Sequence, residues 1–381
     1  MAVLLVACMA LSLAGCGDTT WIMKADDIVL NSGLYIYYQT QGYYEAVMTL
    51  VNQTQDMNYY YAYMYGQPLL EEKLNDGTVE DYTNQYAIDM CRQYVVVEHL
   101  FNELGLEVSA EDEALIKAQV RNTWNDSKES LESIGISEST LRKVITSRIK
   151  EDLVFEAYYE VGGIKGTTEE TIKDHLSDDY ARIKFMTFNF AESIEDAIDE
   201  AVKNDQLALA QSYLDRANAG EDMNALIEEY NAYLESLKEE ETTDEETADN
   251  ETADETEDET VEAETEDEEA DPYLNETLLH VDGTYPSEKF VGYVFNNCKV
   301  GEYSLIQDDI NFYLVQRLDI LERNDIYENY RDSLIAEIYD SDYTKLINET
   351  LAKYDIDINE KSVKRYTAKN AIEGRGDDKT K

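Results

Sequence analysis

The sequence predicts an α+β fold: a mainly helical lobe and a small α/β domain that an acidic insertion interrupts. Three observations predict it. Apolar residues recur at three and four places over most of residues 34–160, the period of an amphipathic helix. The period changes to two over residues 181–190, ARIKFMTFNF, which is a strand pattern. Residues 239–271 hold 20 Asp or Glu in 33 positions, with no Lys or Arg. With only 3 Pro and 17 Gly in 381 residues, turn signals are scarce, which favours long helices.

The elements follow in order. Residues 2–14, AVLLVACMALSLA, form an apolar run too short to span a bilayer but long enough for a signal-peptide core. It ends in Leu13-Ala14-Gly15-Cys16, which is similar to the lipobox of bacterial lipoproteins. That likeness implies cleavage before Cys16 and acylation of Cys16, and so a protein anchored on a membrane without crossing it. No Lys or Arg precedes the run, so the true start is expected upstream. Residues 16–26 read as a tether, and residues 27–31 as a brief strand.

A Tyr-rich helix is expected over residues 34–65, closed by Gly66-Gln67-Pro68. A second covers 80–104 with Tyr82, Tyr86, Met90, Tyr94, Val97 and Phe101 on one stripe, ending at Gly105. Ser109 and Asp112 form a capping box that opens a third. Ser137 opens a fourth, which Gly162-Gly163 stops, and Thr167 caps a short fifth reaching residue 176. After the strand at 181–190 come helices at 193–219 and 222–237, parted by Gly220. The acidic tract has one Val and no aromatic residue, so it cannot offset its ordering entropy and is expected to be disordered. A helix at 288–296, a hairpin of strands 303–306 and 310–318 around Asp308-Asp309, a helix at 324–354 and a last strand at Ile356 and Ile358 follow. The tail from residue 367 is expected to be loose.

The net charge of −52 excludes a nucleic-acid binder that works by neutralising phosphates. Catalytic signatures such as GxSxG, HExxH, CxxC, GxxxxGK[ST] and GxGxxG are absent. Asp355, Asp357 and Asn359 mimic the start of a calcium loop, but Glu360 stands where Gly is needed and Tyr366 where Glu is needed. His99, His175 and His280 are isolated in sequence. No metal or cofactor is implied. Outside the signal and Cys16, only Cys91 and Cys298 remain, and two separate buried thiols are expected in preference to a disulfide.

Several stretches together resemble extracytoplasmic parvulin-type foldases of the PrsA and SurA kind. Tyr35-Ile36-Tyr37-Tyr38 and the Tyr-rich helix look like the start of the chaperone lobe in clostridial lipoproteins of this type. The segment from Glu170 to His175 resembles the linking helix, and Arg182-Ile183-Lys184-Phe185-Met186-Thr187-Phe188 resembles the opening parvulin strand R-[IV]-K-H-I-L-F. Gly220-Glu221-Asp222-Met223 resembles the opening of the second parvulin helix. The stretch from Phe290 to Phe295, with Lys299-Val300-Gly301-Glu302-Tyr303-Ser304, resembles F-x-x-A-x-F-x-L-K-x-G-E-x-S. Phe312-Tyr313-Leu314-Val315 resembles the closing strand Y-H-I-I.

The resemblance implies a domain plan. Residues 1–15 are the signal, 16–26 the tether and 27–178 the chaperone-like lobe. Residues 179–320 are the parvulin-like domain, 321–366 a helix returning to the lobe, and 367–381 the tail. It also implies a peptidyl-prolyl isomerase site, which in this family uses two facing His, a Cys or Asp, and a Met/Phe pocket. Here the two His positions are Phe185 and Tyr313, the Met position is Pro286, and Phe290 remains. Cys298 does not fall at the catalytic Cys position. The expected function is therefore a membrane-anchored foldase or chaperone-like protein that binds unfolded or nascent secreted polypeptides, with weak or no isomerase activity. It would sit on the extracytoplasmic face of a Gram-positive cell membrane. Tyr35, Tyr43, Tyr60 and Tyr63 lie off the core stripes and are expected to offer a client-binding surface. Two other readings stand beside it: an active isomerase with an atypical pocket, and a scaffold lipoprotein of the envelope.

Overall fold

A computed structural model describes residues 20–195, 197–245 and 273–372. The signal run and most of the acidic tract lie outside the described residues. The chain divides into two compact units, Met1–Thr167 with Tyr339–Lys381, and Thr168–Ile338. The first boundary falls at 167/168 instead of 178/179, because the short helix before the strand packs with the α/β unit.

The helical unit opens with β1 (Trp21–Ala25) and β2 (Ile28–Asn31), an antiparallel pair. Within the expected tether, residues 21–25 form a strand, in which Ile22 and Met23 are fully buried. The expected Tyr-rich helix is two helices, α1 (Ser32–Thr54) and α2 (Asn58–Met64). Gln55 adopts a left-handed conformation (φ 56°) and closes α1, and Asp56 accepts the Asn58 amide at 2.9 Å to start α2. A small hairpin, β3 (Lys73–Leu74) and β4 (Gly77–Thr78), precedes α3 (Val79–Glu103). Thr78 and Asp81 cap α3 reciprocally. Gly42 of α1 lies against Tyr86 of α3, where a Cβ would meet the ring at 2.8 Å. The two helices therefore pack closely only because that position lacks a side chain. Helices α4 (Ala110–Ile134) and α5 (Glu138–Tyr159) follow, capped by Ser109 and Ser137 as expected.

The α/β unit begins with α6 (Glu169–Asp179), whose cap is Thr168. Strand β5 (Tyr180–Asn189) leads to α7 (Glu200–Asn218) and α8 (Met223–Glu245). Helix α7 starts at Glu200, later than the expected 193, because Asp199 supplies the cap. Helix α8 continues into the first seven residues of the acidic tract, which are helical where disorder was expected. Next come β6 (Thr277–His280), α9 (Glu288–Asn297), β7 (Tyr303–Gln307), β8 (Asn311–Leu318) and a 3-10 turn (Ile320–Glu322). The sheet is antiparallel with order β6-β5-β8-β7. Strand β5 is central and covered on both faces. Met186, Phe188 and Phe190 pack with Tyr213, Leu226 and Tyr230 of α7 and α8. Ala181, Ile183 and Phe185 pack with Phe290, Val291 and Val294 of α9.

Helix α10 (Asn324–Leu351) starts in the α/β unit, and its second half belongs to the helical unit. There Tyr343, Leu346 and Ile347 join Leu100, Phe101 and Val154. Strand β9 (Asp357–Ile358) pairs with β1. Two short helices, α11 (Glu360–Arg365) and α12 (Ala368–Ile372), end the described chain. The expected loose tail therefore begins as packed helix, with Ala368 and Ala371 buried. The calcium-like residue Asn359 caps α11 and donates to the Trp21 carbonyl at 3.1 Å, which is a structural role.

Candidate functional site

Two adjoining strands and one helix bring together Phe185, Tyr313 and Phe290, three of the residues that the sequence singled out. Phe185 on β5 pairs with Val315, and Tyr313 on β8 pairs with Thr187, so the two rings are diagonal neighbours on one face. Their centroids are 6.3 Å apart. Phe290, on the first turn of α9, fills the space between them, 5.3 Å from Phe185 and 4.7 Å from Tyr313. Phe290 and Tyr313 are fully buried, and Phe185 is half-buried. Pro286 is not among the rings. Its neighbour Tyr285 reaches the cluster instead, 6.4 Å from Phe185 and 67 % exposed.

A polar network fixes the Tyr313 hydroxyl. It donates to Asp308 Oδ2 at 2.7 Å and accepts from the Asn311 side-chain amide at 2.9 Å. Asp308 Oδ1 accepts the backbone amides of Ile310 (3.1 Å) and Asn311 (2.8 Å), which shapes the turn between β7 and β8. Burial pushes the Asp308 carboxyl up, but the Tyr313 hydroxyl and the two amides outweigh it and hold it below the usual range. Burial, then the Asp308 charge, pushes the Tyr313 hydroxyl well above its usual range. Both shifts favour an ionised Asp308 beside a protonated Tyr313, the state in which the hydroxyl donates to the carboxylate.

The three rings pack against one another, and the Tyr313 hydroxyl is committed to Asp308 and Asn311. Cys298 is buried at the end of α9, and both Cys298 and Cys91 are free thiols. Burial pushes each thiol up, away from the reactive thiolate. The three His have local partners. His99 stacks on Tyr354 at 3.8 Å, His175 lies between Asp179 and Glu337, and His280 meets the Tyr180 ring edge-on.

The four tyrosines expected at a client surface do not share one environment. Tyr35 is fully buried in the core with Ile22, Leu34 and Cys91. Tyr43 is buried too, and its hydroxyl accepts the Leu69 amide at 3.0 Å, holding the loop after α2. Both are corrected to core residues, because α1 is covered on more of its circumference than one stripe. Tyr60 and Tyr63 are half-buried, and Tyr63 lies 5.7 Å from both Tyr43 and Tyr44. The exposed residues that the sequence reading missed are Met57, Tyr61, Met64 and Tyr65. Their signal was present: spacings of four, three and one place them on one face of α2. Cys16 lies outside the described residues. Among the described residues no helix is long and apolar enough to cross a membrane.

No family model matches the chain, and no curated protein matches it. Solved structures similar to it are foldase proteins PrsA. That from Lactococcus lactis is 12 % identical, with 91 % of this chain and 99 % of that chain covered and a TM-score of 0.32. That from Streptococcus pneumoniae is 14 % identical, with 81 % and 94 % covered and a TM-score of 0.27. That from Bacillus subtilis is 13 % identical, with 78 % and 98 % covered and a TM-score of 0.22.

Proposed function

We propose that the protein is a lipid-anchored extracytoplasmic foldase of the chaperone type, which holds unfolded polypeptides and has little or no prolyl isomerase activity. The order of parts along the chain supports the foldase reading: a helical unit is built from segments on both sides, in sequence, of a segment that forms an α/β unit with a four-stranded sheet. The observation that supports binding over catalysis is the packing of Phe185, Phe290 and Tyr313, the positions that the family resemblance assigns to an isomerase pocket, into one aromatic cluster. The lipobox-like Leu13-Ala14-Gly15-Cys16 supports anchoring through Cys16.

Two measurements on the chain from residue 18 onward test the reading. Isomerisation of a proline tetrapeptide should proceed at the uncatalysed rate, and aggregation of an unfolded client should be suppressed. A rate well above background that depends on Phe290 would make it an isomerase. Unchanged client aggregation, with one envelope partner co-purifying, would make it a scaffold.

A further inference from the structure

Helix α2 reads NYYYAYM, and its apolar residues run round the whole circumference. Such a helix is ordinarily buried on all sides. Only one face of α2 is covered: Tyr59, Ala62 and Tyr63 pack on the core of α1 and the β3–β4 hairpin. The opposite face carries Met57, Tyr61, Met64 and Tyr65, which are 50, 53, 60 and 80 % exposed. Tyr44 of α1, 42 % exposed and 5.7 Å from Tyr63, extends it. A contiguous aromatic and thioether surface of this kind marks an interaction site, and methionine lets it adapt to varied partners.

Charge decides the occupant. Between Lys24 and Lys73 the chain has six acidic residues and no Lys, Arg or His. A second copy would set this acidic stretch against itself on a chain of net charge −52, and an anionic lipid surface would be repelled. Tyrosine rings attract Lys and Arg through their electron-rich faces. We propose that the outer face of α2 docks extended polypeptide segments that carry Lys or Arg alternating with apolar side chains. This rests on the chaperone reading above and names its substrate class and its contact surface. Apolar side chains lie on Met57 and Met64, and cations lie over Tyr61 and Tyr65.

The test titrates the full chain, held in phosphatidylcholine nanodiscs, with a fluorescent nonapeptide of alternating Lys and Leu. The matched control replaces every Lys by Glu. The Lys peptide should bind and the Glu peptide should not, and binding should weaken as salt rises. Combining Tyr61→Ser, Met64→Ser and Tyr65→Ser should weaken binding about tenfold or more, the change that about 1.4 kcal/mol produces. Tyr61→Phe with Tyr65→Phe should keep it, because the rings remain. These positions are exposed, and an unchanged thermal melt verifies that each variant folds. Equal binding of the Glu peptide, or unchanged binding by the triple Ser variant, overturns the proposal. So does a concentration-dependent dimer that the triple variant abolishes, or flotation on phosphatidylglycerol vesicles that it abolishes. If the wild type suppresses client aggregation and the triple variant does so equally well, the docking surface is wrong and the chaperone reading stands. If the wild type does not suppress it, the chaperone reading itself fails.

Discussion

Glu151 on α5 is a carboxylate that burial pushes above the usual range. Gln93 donates to its Oε1 and the Tyr343 hydroxyl donates to the same oxygen at 3.1 Å, yet burial outweighs both. It lines a hollow of about 50 Å³ together with Tyr38, Tyr94 and Arg148. A carboxyl whose folded value is raised costs stability while it is ionised, and the cost fades as pH falls through that raised value. Glu151→Gln keeps the shape and an oxygen for both donors. It should raise the melting temperature at pH 7 by roughly 2–4 °C, the shift that about 1 kcal/mol produces in a domain of this size. The difference should shrink as the medium is acidified and Glu151 takes up its proton. A gap that stays constant from neutral to acid pH would show that shape, not charge, separates the two side chains. Asp308 behaves oppositely. Its value is held below the usual range, so its contribution is present above the usual carboxylate range and lost at lower pH.

At the scale of elements, capping chemistry was legible and non-local pairing was not. Ser109 and Asp112 announce the start of α4, and the structure completes the box, with the Ser109 hydroxyl accepting the Asp112 amide at 3.1 Å. Ser109→Ala should cost about 1 kcal/mol, and Ser109→Gly only a few tenths. Melting of the two variants checks the order, and equal losses would mean that the side-chain acceptor is not what starts the helix. Strands β1 (WIMKA) and β6 (TLLH) escaped because neither alternates apolar with polar residues. The partner of β1 at its outer edge, β9, lies more than 300 residues away in sequence. The α1–α2 break escaped for another reason. Tyrosine spacing continues across it, and what ends α1 is the left-handed turn at Gln55, a residue with no strong preference for that shape. That Phe185, Phe290 and Tyr313 lie together follows the grouping that the resemblance gave them. Their closure by Asp308 and Asn311 was not legible, because it depends on side-chain directions in a turn. The client surface was misread at Tyr35 and Tyr43, since a stripe rule assigns one buried face and α1 has more.

For the whole molecule, charge is the dominant long-range term. Twenty of its acidic residues fall in residues 239–271, and without them the chain still carries 63 acids against 31 bases. Helix α8 uses the first part of that tract, and its buried anchors Met223, Leu226, Ile227 and Tyr230 all precede it. Residues 246–271 hold 15 acids and lie between α8 and β6 of one unit, so their mutual repulsion acts on the unit that carries them. Replacing those 15 by Asn and Gln keeps the length and removes the repulsion. The α/β unit should melt higher than wild type at 10 mM salt, where screening extends over about 30 Å, and at the same temperature at 1 M, where it falls to about 3 Å. A calorimetric scan across that salt range reads the difference. If the neutral-tract variant melts lower at every salt concentration, the acids contribute to the fold through contacts and not only through charge. If both chains rise in parallel with salt, the sensitive charges lie on the folded surface, where the remaining 63 acids face only 31 bases.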